Sequence, residues 1–184
     1  MMILHVCCAP DATTAVERLR DEGYEPVLLF FNPNIQPDEE YLKRLEAVRT
    51  LSDILNLTLI VENLPVDLWK KEIEEFKDYG EGSIRCFKCI EYRLRFAAWY
   101  AKKNNFKAFS TTLTTSPKKN ILWIHSIGEK LSKDFNIEYI RRDFRKKDGF
   151  KRSVELSKMF GLYRQNYCGC IYSLREKRLG MITR

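Results

Sequence analysis

Six cysteines are the residues of this 184-residue chain best suited to chemistry, and they fall as three close pairs: Cys7 with Cys8, Cys86 with Cys89, and Cys168 with Cys170. A thiolate is both a soft metal ligand and a nucleophile. In a reducing compartment six of them stay free, so metal or redox chemistry outranks a disulfide framework. Cys86 and Cys89 make a C-x-x-C pair, a spacing that serves two ligands of one zinc, two corners of one iron–sulfur cluster, or a thiol redox site. Together with Cys7 and Cys8 they amount to four thiolates, enough for a 4Fe-4S cluster or a structural zinc. The adjacent Cys-Cys pair departs from the two separated pairs usual in zinc ribbons.

Asp11 follows close behind Cys8 and offers a hard oxygen donor; metal ligation and a helix N-cap are the two readings of an Asp at such a place. In Cys168-Gly169-Cys170 the glycine takes the backbone angles that bring near-neighbour thiols together. A pair so tight suits a dithiol cycling between reduced and oxidised forms, with Arg164 nearby to lower a thiol pKa; a second metal-binding pair is the other reading. The two histidines, His5 on an apolar strand and His125 on a helix, read as structural.

These residues need elements to position them. Residues 3–8 read as a buried strand, followed by a turn at Pro10 and a helix from Ala12 to Asp21. Residues 26–31, PVLLFF, make a second strand. Tyr41, Leu45, Val48, Leu51 and Leu55 then recur at helical steps behind an acidic start at residues 38–40. Residues 57–61 form a third strand, residues 66–76 a short helix, and Ile90, Leu94, Ala97 and Ala101 one face of another helix whose first turn holds Cys86 and Cys89. A strand at residues 107–110 precedes a helix faced by Ile124, Ile127, Leu131 and Phe135. Strands alternating with helices predict a single α/β domain over residues 1–184, with a largely parallel sheet flanked by helices and its sites at the C-terminal strand ends. Cys7 and Cys8 sit at such an end, where a nucleotide-binding protein often carries a glycine-rich loop. HVCCAPDATT holds no glycine, so the phosphate cradle is absent and thiols stand in its position.

The net charge of +7 is unevenly placed. Residues 1–140 carry 19 Lys/Arg against 21 Asp/Glu, whereas the basic C-terminal region, residues 141–184, carries 13 against 4. The stripe RRDFRKKDGFKR (residues 141–152) suits phosphate contacts through Arg141, Arg142, Arg145, Lys146 and Lys147, with Phe144 and Phe150 to pack or stack; a solvated helix face is the alternative. The opening MMILHVCCAP lacks a basic leader, and its uncharged run is too short to span a bilayer. The expectation is a soluble, cytoplasmic protein without a membrane partner.

Taken together, HVCCAPD, FNPNIQPDEEYLKR, RCFKCIEYRLRFAA, FSTTLTTSPKK, DFRKKDGFKRS and GLYRQNYCGCIYS resemble the cobalamin-independent epoxyqueuosine reductase family, QueH. The resemblance implies a nucleotide-hydrolase-like (HUP-type) α/β fold without the phosphate loop. It also implies reduction of the epoxide of epoxyqueuosine in the tRNA anticodon to the cyclopentene of queuosine, the last step of queuosine biosynthesis, with an unidentified electron donor. Cys7, Cys8, Cys86 and Cys89 match the family's cluster-binding cysteines, and Cys168 with Cys170 its redox-active pair. Many relatives resemble CCAPC where this chain reads CCAPD, so an oxygen donor at Asp11 suits an additional iron acting as Lewis acid on the epoxide oxygen. Tyr163, Tyr167 and Tyr172 are candidates to stack on the base. An iron–sulfur tRNA sulfur-transfer enzyme would ordinarily need a glycine-rich ATP site, which the sequence lacks. A zinc-stabilised RNA-binding protein would use the same thiolates structurally.

Overall fold

The first strand, β1 (Met2–His5), is buried along its whole length, and its period-two alternation divides the side chains between two cores. Met2 and Leu4, continued by Val6, enter one core; Ile3, continued by Cys7, enters the other. A strand buried on both faces belongs inside a parallel sheet covered by helices. In the computed structural model, which describes residues 1–181, β1 is the middle strand of five. The others are β2 (Pro26–Phe30), β3 (Leu59–Val61), β4 (Ala108–Thr111) and β5 (Glu138–Tyr139), and the order β3-β2-β1-β4-β5 is parallel throughout. Arg184, a cation of the basic C-terminal region, lies outside the described residues.

Helices cover both faces. On one, α1 (Ala9–Asp21) and α2 (Asp38–Leu55) bury Val16, Leu19, Val48 and Leu51 against Leu4, Leu28 and Phe30. On the other, α4 (Ile84–Lys103) and α5 (Ile121–Phe135) bury Leu94, Ala97, Ile124 and Ile127 against Ile3, Leu29 and Phe109. Of the remaining helices, α3 (Val66–Ile73) packs on α4, α6 (Gly149–Met159) on α1, and α7 (Ile171–Arg178) closes the described chain. No described helix is long and apolar enough to cross a membrane.

The chain winds from β1 outward through β2 and β3, then returns to place β4 on the other side of β1. Connections leave in opposite directions between β1 and β4, and the crevice at that switch point, beyond the carboxyl ends of the strands, is where doubly wound sheets bind ligands. Cys7 and Cys8 extend β1 into it. The turn Thr112–Thr115 extends β4, capped by Thr111, whose Oγ1 accepts from Leu113 N at 3.2 Å.

Two expectations are corrected at local level. Helix α1 starts at Ala9, and its N-cap is Cys8, so Asp11 lies inside the first turn and does not cap it; Pro10, tolerated where backbone N–H groups are unpaired anyway, lets the helix begin early. Residues 141–148 form an irregular loop, since helix begins only at Gly149, and the basic stripe is therefore no helix face.

Leu4 is fully buried at the centre of the sheet, whereas Leu42 on α2 is 60% exposed. Leu4→Ala should lower stability by about 2–5 kcal/mol, and Leu42→Ala should stay within about 0.5 kcal/mol. Denaturant unfolding of the two variants beside the parent measures both.

Candidate metal and thiol centre

All six cysteines are free, and they converge from three distant segments. The Sγ atoms of Cys7 and Cys8 and a carboxylate oxygen of Asp11 lie within 4.8 Å of one another, all three residues buried. Cys86 and Cys89 occupy the first turns of α4, and Cys170 is the N-cap of α7, its Sγ accepting from Ser173 N at 3.3 Å. A cavity of roughly 20 Å³ brings Cys86 and Cys89 together with Cys168 and Cys170, beside Trp69 and Lys119. The structure thus joins the first pair to Asp11 and places the second pair beside the third.

The electrostatics tie the two groups. Arg93 is buried and Lys119 half-buried, and among the described residues neither makes an ion pair with a carboxylate. Arg93 Nε donates to Cys89 O at 3.2 Å, and Lys119 Nζ to Cys168 Sγ at 2.8 Å. Desolvation alone would lower the pKa of such a lysine, but the sulfurs of Cys168 and Cys86 outweigh it and raise the Lys119 pKa. Arg93 is raised in the same way by Cys89, Cys7, Cys168 and Cys170. Buried cations of this kind require anions, and the anions offered are thiolates.

The thiols respond unequally. Cys7 and Cys8 share a hydrogen bond at 3.8 Å, which, helped by Arg93 against burial, lowers Cys7 to about 6 and raises Cys8. Burial, then the Cys7 charge, lifts Asp11 to about 7. At the third pair burial opposes ionisation of Cys168, yet Lys119, Arg93 and Arg44 hold it below the usual thiol value; Cys170, buried and next to Cys168, is pushed up to about 12. One thiol eased toward ionisation beside one held back from it is the arrangement a dithiol exchange needs.

Arg44 holds that pair in place. Its Nε donates to Glu40 at 2.7 Å, while its two Nη atoms donate to the carbonyls of Cys168 and Tyr167, each at 3.0 Å. Gly169 between the thiols has φ +120°, and a Cβ there would lie 3.0 Å from Arg44 Nη1. Glycine is the residue that fits.

Sequence reasoning missed Arg93, Lys119, Arg44 and Gln165, whose Nε2 donates to Cys8 Sγ at 2.9 Å. Arg93 follows Cys89 by one helical turn and Arg44 stands in the buried stripe of α2, so helical spacing carried a signal for both. Arg164 was the expected activator of the third pair, but it lies toward Asp11 and bonds Ser157; Lys119 takes that role. Of the expected stacking tyrosines, Tyr167 is buried under Arg44 with its hydroxyl on Gln36 O, Tyr163 donates to Glu40, and Tyr172 packs on Trp69. His5 is a buried core residue bonded to Thr111, and His125 bonds Tyr139.

Within the basic loop Arg141 pairs with Glu129, Arg142 with Glu22 and Arg145 with Asp143. Lys146 and Lys147 make no ion pair among the described residues. Arg18 of α1 donates to the carbonyls of Phe144 and Lys147, at 3.1 and 3.0 Å, and Arg145 Nη1 to Lys119 O at 3.4 Å. Phe144 is core. A groove of roughly 700 Å³ lies along the loop, with Arg18, Arg141, Arg142, Lys146 and Lys147 in its walls.

A five-stranded parallel sheet flanked by helices, with thiols where a glycine-rich loop often stands, defines an α/β protein with a thiol-lined centre. A solved structure with this fold, described as a predicted subunit of a tRNA methyltransferase from Methanocaldococcus jannaschii, superposes with a TM-score of 0.58 at 19% identity, covering 84% of this chain and 75% of that one. A family model described as epoxyqueuosine reductase QueH matches residues 2–176. Relatives bearing the same description are 40% identical in Thermotoga maritima (96% of this chain, 92% of the relative) and 36% identical in Acinetobacter baylyi (95% and 81%). The chain belongs to the QueH family, whose curated members are named as epoxyqueuosine reductases and are thus oxidoreductases.

Arg44→Lys keeps the charge but loses the planar fork that spans two carbonyls. It should loosen the Cys168–Cys170 segment and speed alkylation of Cys168 several-fold, with Cys7 and Cys8 unaffected. Iodoacetamide labelling followed by peptide mass spectrometry reads each site separately.

Proposed function

We propose that this chain reduces the epoxide of epoxyqueuosine in the tRNA anticodon to the alkene of queuosine. The observation that carries this reading is the gathering of all six cysteines around Arg93 and Lys119 at the sheet switch point, in a chain that matches the QueH model over residues 2–176. The reaction removes one oxygen as water and takes up two electrons and two protons, so the site must hold reducing groups and something to draw the oxygen away.

The donor set suits a cluster. Trp69 Nε1 and Arg85 Nε are buried with no hydrogen-bond partner, in the walls of the cavity that Cys86 and Cys89 line, and N–H groups so placed are apt donors to sulfur. Arg93 and Lys119 supply the countercharge that an assembly of thiolates and sulfide requires. We assign Cys7, Cys8, Cys86 and Cys89 as holders of a 4Fe-4S cluster and Asp11 as a ligand of one additional iron. Bound there, these groups would supply low-potential electrons and a Lewis acid for the epoxide oxygen.

The chain's own residues do the rest. Cys168 and Cys170, in passing from dithiol to disulfide, release the two electrons and two protons that the reduction consumes, and an external donor must restore them. Lys119 lowers the Cys168 pKa for that exchange, and Arg44 anchors the segment through the carbonyls of Tyr167 and Cys168. The basic loop holds tRNA phosphates, and the bond from Arg145 to the Lys119 carbonyl sets this contact directly beside the thiols. The substrate places the work in the cytoplasm, where tRNA is modified.

Anaerobically purified protein should be brown and should convert epoxyqueuosine tRNA to queuosine tRNA, assayed by nucleoside mass spectrometry. A colourless zinc protein without turnover would overturn the reading. Single Cys→Ser changes at residues 7, 8, 86 and 89 should each lose iron and sulfide. The double Ser variant at Cys168 and Cys170 should keep the chromophore and lose multiple turnover.

Neutralising Lys146 and Lys147 together, as Lys→Gln, should lower the slope of log affinity against log salt by between about 1 and 2. Filter binding of tRNA across a salt series measures it, and an unchanged slope would remove the loop from the interface.

A further inference from the structure

A second cavity, of roughly 180 Å³, opens beside Asp11, and Pro10, Ser116, Phe150, Arg164 and Gln165 also line it. It is smaller than the about 300–1,000 Å³ that encloses a drug-sized ligand. The space takes one small ring, not a whole nucleoside.

Gln165 gives the cavity its chemistry. Its Nε2 is committed to Cys8 Sγ at 2.9 Å, while its Oε1 is buried without a partner. A buried amide oxygen left so is destabilising unless a ligand brings a donor. At the rim stands Phe150, 37% exposed, on the first turn of α6 and directly after the basic loop. With Phe144 and the three tyrosines committed elsewhere, Phe150 is the aromatic side chain that this cavity offers to a base.

We propose that this cavity seats the epoxide-bearing carbocycle of the modified nucleoside, with a ring hydroxyl donating to Gln165 Oε1 and the base lying against Phe150. The inference rests on the reading that the chain reduces epoxyqueuosine in tRNA. An epoxide oxygen only accepts hydrogen bonds, so the Gln165 oxygen repels it and attracts the hydroxyl. The epoxide is thereby turned toward Asp11, Cys7 and Cys8. Arg164, at the same rim, is placed for the adjoining phosphate.

The test compares the affinity of purified holoprotein for two forms of one tRNA, carrying either epoxyqueuosine or guanine at the modified position. The parent should prefer the modified form. Phe150→Ala should weaken binding of both forms about ten-fold, the scale of one lost base–aromatic contact, and Phe150→Tyr should retain it. Gln165→Met should raise KM for the modified tRNA more than it lowers kcat, at unaltered iron content. A parent that turns over the modified tRNA while Phe150→Ala leaves affinity, and Gln165→Met leaves KM, intact would overturn the cavity assignment alone. A parent that neither prefers nor converts the modified tRNA would overturn the underlying function, and this inference with it.

Discussion

Arg93, buried, and Lys119, half-buried beside it, are cations drawn away from water without a carboxylate partner among the described residues, and the arrangement of the site follows from that need. A buried charge is tolerated only where opposite charge lies close. Here it comes from sulfurs delivered by the end of β1, the start of α4 and the loop before α7. The dependence runs both ways, because thiols packed this closely would repel one another as thiolates if the two cations were absent. Removing either cation should therefore disturb every cysteine pair together, and pairwise accounts of the site will not add.

The sheet explains why these segments meet. Strand order 3-2-1-4-5 puts the divergence of connections between β1 and β4, so the residues following those two strands share a crevice. After β1 come Cys7, Cys8 and Asp11; after β4 come the Thr112–Thr115 turn and the segment that carries Lys119 inward. The α4 helix crosses the same end with Cys86 and Cys89 in its first turns, and Arg93 one turn deeper. The crevice where doubly wound sheets often bind phosphates is here lined by thiols.

Much of this was legible in the sequence because the signals were local. The unbroken apolar run at β1, the apolar stripe of α2 and the absence of glycine after β1 each state their meaning within a few residues. The spacing of the cysteine pairs marked the residues that the fold brings together. Contacts across the fold were not legible. That Lys119, and not the sequence-adjacent Arg164, faces Cys168 depends on how the turn after β4 folds back. The tyrosines of residues 163–172 looked free to stack because nothing local reveals Glu40, Gln36 or Trp69 as their partners. The two-residue strand β5 is too short to show any period, and residues 141–148 failed to form a helix because Lys147 and Asp148 adopt positive φ and Arg18 claims the loop carbonyls.

The three cysteine segments also differ in when they leave the ribosome. Cys7, Cys8 and Asp11 fall within one short stretch at the very start, and form a three-donor set whose geometry is local to the first turn of α1. They are synthesised long before Arg93, Lys119 or the last thiol pair exist. A nascent chain therefore presents a soft, incomplete metal trap, and by the ordinary ranking of divalent ions copper and zinc hold such a trap more firmly than ferrous iron does. For the iron site proposed above, faithful metallation is then a matter of timing: iron has to be delivered once Cys86 and Cys89 have joined the first pair, or the wrong ion has to be released as they do.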